Sequence, residues 1–256
     1  MNDPFEHHGV THLSASSINE YIQNPARWLL HVSGFRDNAG IPAMWRGTAV
    51  DKAITSALLD DLSDNEALLQ AQESFRDEKA HAIANDQPVN EKKARAESEA
   101  VARYLKIALP FYRKLGPPIE SQKKITLEYE WMPVPIIGYI DLKYDGVVRD
   151  IKTVGRLPTS VPFTVCRQLS IYAKAENAMP LVDYVHSTKT SSQVVVMPVP
   201  DVDYHLKFVE QASRSMMRLL SYSSDIREVA QLLTPNFDDW RWSSAEIQAA
   251  TKLWSL

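Results

Sequence analysis

Asp145-Gly146 stands between two runs of alternating character, GYIDLKY at 138–144 and VVRDIKT at 147–153. A two-residue loop of this composition joins antiparallel strands, because Asp and Gly accept the positive φ that a type I′ turn requires. The turn sets the register: Tyr144 faces Val147, Lys143 faces Val148, Leu142 faces Arg149, Asp141 faces Asp150 and Tyr139 faces Lys152. Alternation then gathers Tyr139, Asp141, Lys143, Val148, Asp150 and Lys152 on one face. The other face, with Ile140, Leu142, Tyr144, Val147, Arg149 and Ile151, is mostly apolar and belongs on a core.

The polar face is costly as it stands. Cross-strand partners have Cβ atoms about 5 Å apart, and two carboxylates at that distance repel by roughly 3 kcal/mol at an effective dielectric near 20. A cation between Asp141 and Asp150 reverses that cost. An all-oxygen donor set, with the Ile151 backbone carbonyl beside the two acids, suits Mg²⁺ or Mn²⁺ better than zinc. Lys152, on the same face, then lies where it can orient or activate a water and stabilise charge on a phosphate. The alternative is an exposed ladder of Asp, Lys and Asp, which carries little energy.

The flanking residues extend the pattern. Gly138 and Asp141 form G-x-x-D, Asp150 and Lys152 form D-x-K, and Gln168 and Tyr172 form Q-x-x-x-Y. Upstream stand Ser14, Ser16 and Ile18 as S-x-S-x-I, and then Gly47 and Asp51 four residues apart. In this order, across roughly residues 13–175, the chain resembles the RecB-like branch of the PD-(D/E)XK nuclease superfamily.

The resemblance implies an α/β fold: a restriction-endonuclease-like core with a small mixed β-sheet flanked by helices and a helical N-terminal region. One nuclease domain over 1–256 is expected, with helices at 13–118, an αβ core at 119–200 and closing helices at 201–256. It also implies a DNA exonuclease using Mg²⁺ or Mn²⁺ in recombination, repair or phage DNA processing. Structure-specific endonucleases and silent binding relatives share such a core. The implied metal ligands are Asp51, Asp141, Asp150 and the Ile151 carbonyl. Asp51 stands where the family usually keeps a histidine, an exchange that a hard cation tolerates. Lys152, Gln168 and Tyr172 complete the catalytic set, while Ser16, Arg46 and Arg167 are expected to meet the DNA. Many relatives carry an iron–sulfur cluster whose first cysteine precedes the proline of the first helix; here that position is Asn24, and the chain's single cysteine is Cys166. No cluster is expected, and Phe237, Trp240 and Trp242 are expected to pack in its place. A homo-oligomer, or a recombinase, single-strand-binding or helicase partner, is compatible with such an enzyme.

Composition sets the remaining bounds. A net charge of −4 leaves no global attraction for a polyanion, so nucleic acid must be held by a local patch. The longest apolar run, 194–199, is far too short for a bilayer span, and the polar start has no signal-peptide anatomy. A cytoplasmic protein without membrane contact is expected.

Periodicity and caps predict helices at 45–62, 64–84, 90–115, 161–177, 203–222 and 243–254, and one broken by Pro25 within 11–33. Strands are predicted at 124–131, 181–187 and 193–199 besides the hairpin. Lys92, Lys93, Arg95 and Lys189 are further cations that could face DNA.

Overall fold

The computed structural model describes residues 3–37, 40–85 and 87–256. Six helices come first: α1 (Pro4–His7), α2 (Ala15–Gln23), α3 (Pro25–Val32), α4 (Pro42–Leu59), α5 (Asp64–Ala84) and α6 (Glu91–Leu115). Then follow β1 (Glu120–Leu127), β2 (Ile136–Tyr144), β3 (Val147–Val154), α7 (Phe163–Glu176), β4 (Met179–Ser187) and β5 (Ser192–Pro198). The helices α8 (Val202–Leu220), α9 (Ile226–Ala230) and α10 (Ser244–Trp254) end the chain. The five strands lie in sequence order, β3 and β4 parallel and the other neighbours antiparallel. Only the parallel step needs a crossover, and α7 supplies it. This is the α/β class expected, a small mixed sheet flanked by helices.

Local chemistry places the helix ends where the sequence signals them. Ser14 caps α2 by accepting from the Ser17 amide at 3.2 Å, and Asn24 caps α3 by accepting from the Arg27 amide at 3.0 Å. Pro25 therefore starts a new helix instead of kinking one. Ser63 and Glu66 form a full capping box on α5, and Gly116, at φ 82°, ends α6 as few other residues could. Asp86, in the break between α5 and α6, lies outside the described residues.

The sheet separates two apolar layers. On one face Ile136, Ile140, Val148 and Val182 pack with α2, α7 and α8. On the other, Leu142, Ile151 and Val185 pack under α4, α5 and α6, whose contacts are largely alanine at Ala49, Ala53, Ala67, Ala71 and Ala108. Small side chains let these three helices approach closely.

Several expectations need correction. The hairpin turn is not type I′, because Gly146 has φ 63° while Asp145 is not among the positive-φ residues. The three pairs next to the turn form as expected, but the β2–β3 ladder stops at Leu142–Arg149. Asp141–Asp150 and Tyr139–Lys152 are not ladder partners. The first strand runs Glu120–Leu127, earlier than 124–131, so Glu128 and Glu130 lie beyond it.

Trp240 is 86% exposed and packs into no core. Phe237 and Trp242 do pack, edge to face at 5.3 Å, against Ala26 and Leu30 of α3. The rest of the tie between the two ends of the chain is polar. Asn24 Nδ2 donates to Asp239 Oδ2 at 3.2 Å. Glu246, fully buried at the start of α10, accepts from Arg27 at 2.8 and 3.1 Å and lies 2.9 Å from His31 Nε2. Arg27 and His31 also hold Glu20 of α2.

Burial alone would raise the Glu246 pKa, but hydrogen bonds from Arg27 and His31 outweigh it and hold the carboxyl below 4.5. Its stabilisation is therefore complete above the ordinary glutamate range and is lost as pH falls through the depressed value. Glu246→Ala should cost about 1.5–3 kcal/mol in urea denaturation at pH 7, since it removes the charged hydrogen bonds from Arg27 and His31 to α10 while Arg27 keeps Glu20. An unchanged unfolding midpoint would show that the ion cluster does not hold α10.

Candidate active site

The centre of the site is the place where β2 and β3 part. Past Arg149 the backbone ladder is replaced by a side chain: Asp141 Oδ2 accepts the Ile151 amide at 2.7 Å. In an extended strand the N–H and C=O of one residue point to the same edge. The Ile151 carbonyl therefore also points into the gap between the strands. Asp141 disturbs the other side of β2 as well. The β1–β2 pairing passes from Ser121–Leu142 to Lys123–Ile140, skipping Gln122 and Asp141, and Gln122 has φ 47°. Ile136 and Ile140 face one core while Leu142 and Tyr144 face the other, so the alternation of β2 slips at Asp141.

Helix α4 crosses this gap with Gly47 close to β3; a Cβ there would sit 3.5 Å from Thr153 Oγ1. Asp51, one turn further along α4, accepts from Gln122 Nε2 through Oδ2 at 2.8 Å. Its Oδ1 is buried and has no partner. Burial, and then the charge of Asp150, push Asp51 up to about 6. Burial, Asp150 and Asp51 together push Asp141 well above the usual carboxylate range. Asp150 is 1% exposed, and Lys152 Nζ lies 2.9 Å from its Oδ1 and 2.7 Å from its Oδ2. Desolvation would lower the Lys152 pKa, but Asp150 and Asp141 outweigh it and raise it. Lys152 is thus a firmly held ammonium.

Three acids and the strand edge at Ile151 offer only oxygen donors, the chemistry that a hard divalent cation takes. The unpartnered Asp51 Oδ1 and the mutual repulsion of the acids both favour one. Among the described residues no group of three or more His, Cys, Asp or Glu is placed so that it could hold a metal ion as it stands. Lys152 supplies the counter-charge to Asp150 in its place.

Helix α7 covers one side of this gap. Gln168 Nε2 donates to Tyr172 Oη at 3.0 Å, and the Tyr172 ring lies against Gly138. A Cβ on residue 138 would come within 2.4 Å of Tyr172 Cε1, so glycine is required by close approach. Gln168, Tyr172, Gly138 and Ser16 line a groove of about 560 Å³ at the start of α2.

The expected DNA-binding residues divide. Ser16 is exposed on the groove, 2.9 Å from Ser14 Oγ. Arg46 is buried and committed: it pairs with Glu97, donates to the Thr153 carbonyl at 3.1 Å and stacks 4.5 Å over the Tyr104 ring. It is a structural residue that braces α4 on β3, and the substrate role expected for it is withdrawn. Arg167 is 7% exposed and donates through Nε to Asn19 Oδ1 at 2.5 Å, locking α7 to α2. That contact uses one of its five N–H donors. Lys92, Lys93 and Arg95 are exposed on α6, and Arg95 pairs with Glu99. Two residues were not anticipated. Gln122 holds Asp51 from a left-handed backbone position that no sequence signal marks. Tyr184, beside Lys152 in the β3–β4 register, has a buried hydroxyl without a partner.

A family model for the PD-(D/E)XK nuclease superfamily matches residues 12–241. No curated protein matches the chain. Among solved structures, one described as "Crystal structure of SSO0001" aligns at 17% identity and a TM-score of 0.29, over 38% of this chain. The chain spans half the length of that structure.

The raised Asp51 pKa gives a prediction with a definite sign. A carboxyl raised from 3.8 to about 6 destabilises the fold once ionised, by on the order of 2–3 kcal/mol. The cost is absent below the unfolded value, grows between the two and is complete above about 6. Asp51→Asn should therefore raise the melting temperature at pH 8 and leave it unchanged at pH 3.5. A loss of stability at pH 8 would show that the charged form is favoured in the fold.

Proposed function

The chain belongs to the PD-(D/E)XK nuclease superfamily, and from that premise we propose that it is a Mg²⁺-dependent deoxyribonuclease of the RecB-like type, acting as an exonuclease. Its place is DNA recombination, repair or phage DNA processing. One observation carries the reading: Asp141 leaves the β2–β3 ladder to meet the Ile151 amide, close enough to Asp150 and Asp51 for both charges to act on its carboxyl.

In this reading Asp51, Asp141, Asp150 and the Ile151 carbonyl hold Mg²⁺ or Mn²⁺. When bound, the cation polarises a phosphate and acidifies water. The protein's own residues do the rest. Lys152, held at Asp150, orients or activates the attacking water and stabilises charge growing on the phosphate. Tyr172 is kept neutral by burial and, oriented by Gln168, donates a hydrogen bond toward the scissile group. Ser16, at the mouth of the groove, meets a neighbouring phosphate. The −4 net charge suits an enzyme that must release its product more than one that coats DNA. A recombinase, single-strand-binding or helicase partner, or self-association, would supply any motor or threading function.

Linear and circular duplex DNA incubated with and without Mg²⁺ test the reading. Release of nucleotides from linear DNA alone, abolished by EDTA and reduced about a thousandfold by Asp150→Ala, is the expected result. Nicking of circles would assign an endonuclease on the same core. No Mg²⁺-dependent cleavage by the intact chain would defeat the enzymatic reading. Gly138→Ala separates positioning from folding. By driving the Tyr172 ring off its seat it should lower kcat by about ten- to a hundredfold while KM changes little; unchanged kcat would remove Tyr172 from the site.

A further inference from the structure

The groove at Tyr172 continues past the start of α2. It shares His12, Ser14, Ser16, Asn19 and Thr164 with a second depression of about 750 Å³, which reaches Arg36 and Arg241. The two make one trough along α2. One exposed aromatic ring lines it, and a second stands next to a residue of its lining. Tyr139, 55% exposed, lines the near part, and its partner across the β1–β2 ladder is Lys124. That ammonium is exposed and has no ion pair or hydrogen bond among the described residues. At the far end Trp240, 86% exposed, stands beside Arg241, whose guanidinium is 5.4 Å from the ring centroid and is paired with Asp239 at 2.6 Å, so it is not a free cation. Arg27 also lines the trough, but it is committed to Glu20 and Glu246 and is not free to meet a ligand.

We propose that this trough binds a single strand of DNA, with bases stacked on Tyr139 and Trp240 and phosphates met by Lys124 and Arg36. The identity of the polymer as DNA rests on the nuclease reading; the preference for an unpaired strand does not. In a duplex the faces of the bases are covered by their neighbours, so an exposed ring gains nothing from them. An unpaired strand offers every face, and stacking on aromatics is tolerant of sequence. The chain also has few free cations here. Two phosphate contacts to a single strand correspond to a salt slope of only about −1.4, so stacking must contribute a large part of the affinity.

Binding in EDTA separates this from catalysis. Fluorescence anisotropy of the full chain with a labelled oligothymidylate, and with a duplex of the same length, should give at least about tenfold tighter binding of the single strand. Tyr139→Ala and Trp240→Ala should each weaken it about tenfold, while Tyr139→Phe and Trp240→Phe retain it. Both side chains are exposed, and melting curves check that the variants are folded. Equal or tighter binding of the duplex, or unchanged affinity in both alanine variants, overturns the inference. Mg²⁺-dependent cleavage of duplex without any strand preference in binding would overturn it and leave the nuclease reading standing. Tight oligothymidylate binding with no Mg²⁺-dependent cleavage of any DNA would support the trough and defeat the nuclease reading.

Discussion

Asp51, Asp141 and Asp150 reach one region of the fold from three different elements, and the repulsion among them is what the surrounding structure is arranged to contain. Buried like charges are expensive, and each acid has a dedicated compensation. Asp141 takes the Ile151 amide that the β2–β3 ladder would otherwise use. Asp150 takes the Lys152 ammonium, and Asp51 takes the Gln122 side-chain amide. Two of these three compensations distort the sheet: the strands part beyond Arg149, and Gln122 adopts a left-handed backbone. A chain selected for stability alone would have no reason to keep them.

The neighbouring elements hold this arrangement in place. Arg46 braces α4 against Thr153, directly after Lys152. Behind the sheet Asp183 is fully buried, accepting from Arg149 at 2.7 and 2.9 Å and from Tyr112 at 3.0 Å, which ties β3 and β4 to α6. On the opposite face α7 is tied to α2 through Asn19, which donates to the Thr164 carbonyl and accepts from Arg167. The elements on both faces of the sheet are thus pinned by side chains that cannot be exchanged independently.

Much of this was legible in the sequence because it rests on local signals. Ser14, Asn24, Ser63 and Gly116 mark helix ends by their own hydrogen bonding or φ, and Asp145-Gly146 marks a hairpin. The acids of the site could be named for the same reason, as a short pattern on one hairpin. What was not legible depends on non-local competition. Strict alternation along β2 placed Asp141 opposite Asp150, but alternation assumes an unbroken ladder, and the Asp141 carboxylate breaks it. Arg46 read as a free cation because its partners, Glu97 and Thr153, are distant in the chain. Trp240 read as core because hydrophobicity alone does not distinguish a packed indole from one left in solvent. Tyr184 gave no signal at all, since a tyrosine in a buried strand is ordinary until its hydroxyl is found without a partner.

Lys152 covers both oxygens of Asp150, so on the proposed reading the protein carries an internal rival for the cation it would recruit. Displacing a tethered ammonium costs free energy, and on that reading affinity for the cation alone would be correspondingly weak. An incoming phosphodiester gives that ammonium a new counter-ion, so each guest lowers the cost of admitting the other. By thermodynamic reciprocity the coupling is the same in both directions: the centre would assemble chiefly when polymer and cation are present together, and idle hydrolytic capacity would be suppressed without a separate inhibitor.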